Sequence, residues 1–180
     1  MILFFCLGYI SIIAQNKAKE DFSVVLKSAK VDFAIPTEVF LRNIRIVAND
    51  IQPYQSAFKG KHEKVEIRYF VKPLNEEDKY NLAPQVLCAS IASSIASNHE
   101  DKASMVFHPM IDESLLTEFN ADYGVDVYLS PKKSFSDKKY CRMQFLFARD
   151  KGVICTFILF DNPRVELEKY VHNMRFLSDL

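Results

Sequence analysis

The sequence predicts an α+β fold: a mostly antiparallel, twisted sheet of about six to seven strands with two main helices packed on it. Three observations carry this expectation. The stretch 65–71 alternates, with Val65, Ile67, Tyr69 and Val71 on one face and Glu66, Arg68 and Lys72 on the other; Phe70 is the exception. The stretches 140–149 and 153–161 are apolar runs separated by Asp150, Lys151 and Gly152, the signature of a hairpin. Leu87, Cys88, Ile91, Ala92 and Ile95 recur at helical spacing between Pro84 and Asn98.

The chain has 180 residues, which favours one folded domain. Residues 2–14 form an uncharged apolar run of 13, and the first charge is Lys17. A helix needs ~20 residues to span a bilayer core, whereas 7–15 suit the apolar region of a secretory signal. Residues 1–14 are therefore expected to be a signal peptide, with Ala14 as the small residue for cleavage. Residues 15–29 are a lead-in, and 30–180 a single α+β domain. The expected location is outside the cytoplasm, periplasmic or envelope-associated.

Along that domain, Val31 to Pro36 alternates and ends in proline, as a short strand does. A less regular stretch runs through Ile44 to Val47. Tyr54 to Phe58 is expected to pair with 65–71 across a polar loop, 59–64. Pro84 suits the first turn of the 84–98 helix. Asp112 is placed to cap a short helix over 112–119. Val125, Val127 and Leu129 alternate as a strand. In the hairpin that follows, Met143, Phe145, Phe147, Cys155, Phe157 and Leu159 are expected on one face; the other carries Arg142, Gln144 and Thr156 beside Ile154, Ile158 and Phe160 and is at least partly covered. Gly152 is read there as a left-handed turn residue. Asn162 and Pro163 predict the start of a second main helix, with Leu167, Tyr170, Val171 and Met174 as its stripe. A last strand would include Phe176 and Leu177.

Composition removes several functions. Lys plus Arg is 23 and Asp plus Glu is 23, so the net charge is zero and no nucleic-acid partner is expected. The four glycines, Gly8, Gly60, Gly124 and Gly152, are far apart. Phosphate-cradling and dinucleotide loops need clustered glycines, and no cofactor is expected. Without Cys6, the cysteines are Cys88, Cys141 and Cys155, an odd number with no CxxC spacing. All three fall on apolar faces, so a core role is expected rather than a nucleophilic one. His99, Asp101 and His108 are the one set within reach of a common metal, but solvated histidines are the simpler reading and no metal is expected.

The order of elements, from the strand ending at Pro36 to the final strand at Phe176, resembles the PsbP-like α/β/α sandwich. It is also similar to a group of small exported bacterial proteins in which a segment like 118–124 (Glu118, Phe119, Asn120, Ala121, Asp122, Tyr123, Gly124) precedes the later strands. The resemblance spans residues 30–178 and implies accessory or binding proteins rather than enzymes.

Two groups of candidate binding residues follow. Asn120, Asp122, Tyr123 and Gly124 lie between a helix and a strand, where binding residues concentrate. The simpler account is local: Asn and Asp bond the backbone and Gly124 turns the chain. Lys132, Lys133, Lys138, Lys139 and Arg142 surround Asp137, five positive charges against one negative. That suits an anionic partner or membrane surface; a solvated loop is the simpler account. The leading expectation is an exported, non-catalytic binding or accessory protein with an envelope protein as partner. The alternatives are a carrier of small apolar ligands and a hydrolase without a recognisable motif.

Overall fold

The computed structural model describes residues 22–34, 41–44, 46, 50–60, 64–75, 77–78, 83–99 and 104–178. The apolar run 1–14, the loop residues 61–63, Pro36 and Asp101 lie outside them.

The lead-in contains a helix, α1 (22–28). Phe22, Val25, Leu26 and Ala29 recur at helical spacing and pack into the core. Then come β1 (Val31–Phe33), β2 (Leu41–Asn43), β3 (Ser56–Gly60), β4 (Glu66–Pro73), α2 (Pro84–Ile95), β5 (Met105–Pro109) and α3 (Glu113–Phe119). The chain continues with β6 (Tyr123–Leu129), β7 (Tyr140–Ala148), β8 (Gly152–Phe160), a single 3-10 turn (Glu168–Tyr170) and β9 (Met174–Phe176). Seven strands form one antiparallel sheet in the order β2-β3-β4-β8-β7-β6-β5, and β1 pairs with β9 in a separate ribbon.

The expected hairpins are present. β3 meets β4 with Phe58 opposite Ile67, and β7 meets β8 with Phe145 opposite Cys155. Period-two alternation then sorts side chains between two cores. Cys141, Met143, Phe145, Phe147, Val153, Cys155, Phe157 and Leu159 share one face, and Cys88, Ile91, Ala92 and Ile95 of α2 pack on it. Val65, Ile67, Tyr69, Val71, Leu146, Ile154, Ile158 and Phe160 share the other, with α1, α3 and the β1–β9 ribbon against them. Each large apolar side chain so buried stabilises by roughly 1.5–3 kcal/mol. Burial on both faces explains why β8 is apolar apart from Thr156 instead of alternating.

Two local expectations are corrected. No helix follows Pro163; residues 163–165 turn, and one 3-10 turn precedes β9. The Asn162 side chain accepts from the Arg164 amide at 3.0 Å, closing a local turn. Tyr170, Val171, His172 and Asn173 are weak helix formers, and Met174 must be extended to pair with Phe33. Gly152 is also not left-handed: no described glycine has positive φ. A Cβ there would lie 2.7 Å from the Lys72 carbonyl oxygen and 3.2 Å from Ala29 Cβ, so close backbone approach demands glycine.

Candidate functional site

The segment 120–124 is joined to the fold through nearly every group it offers. Asn120 ends α3 in the left-handed conformation (φ 49°), which asparagine tolerates, and its Nδ2 donates to the Phe176 carbonyl at 2.7 Å. Asp122 accepts from the Arg149 amide at 2.7 Å and donates its own amide to the Phe147 carbonyl at 2.8 Å. The Tyr123 ring meets Phe145 edge-on, and desolvation raises its phenol pKa. Gly124 does not turn the chain; it lies inside β6, where a Cβ would sit 2.6 Å from Met110 Sδ and 3.1 Å from a Leu116 methyl. These residues lock α3, β6 and β9 together.

The basic loop divides in three. Lys132 Nζ donates to the Ser94 carbonyl at 2.9 Å, placing a cation at the C-terminal end of α2, where the helix dipole favours it. Lys138 pairs with Asp161 at 2.7 Å, and the Lys139 amide also donates to that carboxylate at 3.1 Å. These bonds lower the Asp161 pKa, the Lys138 side chain first. Lys133 and Lys139 are exposed. Arg142 belongs to none of this surface. It points into the sheet face, 5 % exposed, and bonds Asp126 at 2.8 Å and Glu168 at 2.6 Å.

Sequence reasoning did not single out the cluster around Arg142. Asp126 faces Gln144 across the β6–β7 ladder, and Tyr128 faces Arg142. The guanidinium lies 5.7 Å from the Tyr128 ring centroid, and His108 meets Tyr128 edge-on. Asp126 Oδ1, Arg142 Nε and Gln144 Oε1 are buried without a protein partner. Alternation along β7 was the available signal, since Arg142 and Gln144 must share a face opposite Cys141 and Met143.

The remaining reactive groups are quiet. Burial pushes the Cys88 thiol up to about 12 and raises Cys141 and Cys155 further from the neutral range. All three are buried, unpaired and protonated at neutral pH. His172 pairs with Glu118 at 2.9 Å and stacks on Phe119 beside a hollow of about 120 Å³ also lined by Asp32 and Arg175. His99 and His108 are exposed, and no group of three metal-ligating side chains occurs among the described residues.

One exposed edge of the sheet is the outer side of β5, another feature the sequence reading passed over. Four of its five residues are exposed, and no described strand pairs with its outer side. Val106 and Phe107 are 48 % and 41 % exposed, and Ile111 and Leu115 beside them 86 % and 40 %. An unpaired strand edge with apolar side chains is a template for another chain. Among the described residues no helix is long and apolar enough to cross a membrane. Comparison with protein-family profiles, with curated proteins and with solved structures finds no match.

Proposed function

We propose that this is an exported, non-catalytic binding or accessory protein of the cell envelope that engages a protein partner through the outer edge of β5. The observation that carries the reading is that unpaired edge, flanked by Val106, Phe107, Ile111 and Leu115. The apolar run 2–14 supports export. The resemblance drawn from the sequence implies an accessory role, although the helix it includes after Pro163 is absent. The burial of all three described thiols, which keeps them protonated, supports a function other than nucleophilic catalysis.

Site-specific photo-crosslinking in cells tests this. A crosslinker at Val106 or Ile111 is expected to trap a discrete envelope protein, whereas one at Val86, an equally apolar exposed site on α2, traps none. Equal trapping from all three positions, or none from β5, would overturn the reading.

A further inference from the structure

The hydrogen-bond pattern fixes which backbone groups of β5 face outward, where no described strand pairs with them. The Met110 amide donates to the Gly124 carbonyl at 2.9 Å, and these residues stand directly opposite if the β5–β6 register is continued by one. Antiparallel alternation then turns the backbones of Val106 and His108 toward β6 and those of Met105, Phe107 and Pro109 outward. Pro109 lacks an N–H and so occupies a place where no ladder bond is lost. The outer edge offers amides at Met105 and Phe107 and carbonyls at Met105, Phe107 and Pro109. An extended strand completes such a row of groups.

Side chains and charge specify the strand. Val106 and Phe107 present apolar surface on opposite sides of the edge. Residues 104–122 contain Asp112, Glu113, Glu118 and Asp122, and no Lys or Arg. Glu118 pairs with His172, and Asp122 accepts from the Arg149 amide. Asp112 and Glu113 remain just past the Pro109 end. The Ser114 hydroxyl and amide hold the Asp112 carboxyl below the usual carboxylate range, so it is charged at neutral pH. An antiparallel strand starts opposite the end of β5, the end that these two exposed acids follow in the chain.

We propose that the outer edge of β5 accepts an extended strand from a partner protein, added antiparallel, apolar where it lies along Val106 and Phe107 and led by Lys or Arg. This rests on the edge-binding function above and adds the chemistry of the partner.

The test uses the full chain and a labelled synthetic peptide in which a lysine pair precedes alternating valine and threonine. The peptide is expected to bind and to slow hydrogen exchange at the Phe107 amide. Replacing its lysines by glutamates should weaken binding about tenfold, the effect of roughly 1.4 kcal/mol of charge pairing. Glu113→Lys should erase that preference, because the new positive charge cancels that of Asp112, and Glu113 is exposed and has no role in the core. N-methylation of the peptide's edge-facing nitrogens should abolish binding. Failure of the peptide up to millimolar concentration, or equal binding of the two charge forms, would overturn the inference. A concentration-dependent dimer dispersed by Phe107→Lys would also overturn it, making the occupant a second copy. If crosslinks from Val106 and Ile111 persist while the peptide fails, the binding function stands and only the partner chemistry falls. If both fail, both fall.

Discussion

The Arg142 guanidinium is held between Asp126 and Glu168, but the two partners are not equivalent. Asp126 is 14 % exposed at its side chain and Glu168 67 %. Arg142→Met strands the Asp126 carboxylate in the interior and should destabilise by about 3–5 kcal/mol. Glu168→Ala removes a solvent-screened partner and should cost under about 1 kcal/mol. Urea denaturation of the two variants checks the ratio, and equal losses would contradict this division of roles. The glycines permit a similar comparison. Gly152→Ala meets the Lys72 backbone, which cannot move alone, whereas Gly124→Ala first meets the flexible end of Met110. Both overpack, within about 1–3 kcal/mol, and Gly152→Ala should be the worse by urea midpoint. At this scale the sequence reading was mixed. It placed the three cysteines on apolar faces because strand and helix periods do so. Alternation puts Arg142 and Gln144 on the second, covered hairpin face, where they are buried, whereas proximity along the chain also groups Arg142 with the neighbouring surface lysines.

Elements were legible where a buried face imposes a period on the sequence. The β3–β4 hairpin, α2 and the shared face of β7 and β8 all follow from periodicity. The helix expected after Pro163 failed because its stripe divides between a 3-10 turn and β9, and pairing with β1 decides that division. β5 was missed because an exposed edge strand has no buried face to impose alternation. The candidate segment 120–124 was found by its polar residues, but their partners, Phe176 and Arg149, are distant in sequence and only the fold reveals them. The helix ends carry their own predictions. Asp112 caps α3 by accepting from the Ser114 amide at 2.8 Å, and Asp112→Ala should lower the thermal midpoint. α2 begins at Ala83 with no side-chain cap in an extended conformation suited to one. Ala83→Asp should therefore raise stability by about 0.5–2 kcal/mol, read as a higher thermal midpoint. An unchanged midpoint would show that the first turn of α2 is already satisfied.

For the whole molecule, the core that holds the three thiols makes stability depend on alkaline pH. An unfolded thiol loses its proton near 9, while burial holds the Cys88 proton to about 12. Between those values the unfolded state binds fewer protons, so unfolding becomes easier as pH rises. Stability should be full below pH 9 and then fall by about 1.4 kcal/mol per unit for each such thiol. Urea midpoints taken from pH 7.5 to 10.5 check this, and Cys88→Ala should flatten the slope; a flat profile in the native chain would refute it. The class of the fold was legible at this scale because apolar periodicity is dense, but the pairing of β1 with β9 was not, since no local pattern reports a partner so far away. That ribbon has a temporal consequence. Val31 lies opposite Phe176, so one core is closed by segments near the two ends of the domain. A chain emerging from the ribosome cannot bring them together until residue 176 has been made. The β3–β4 hairpin can form early, but β1 must wait for β9 before that side of the core can close.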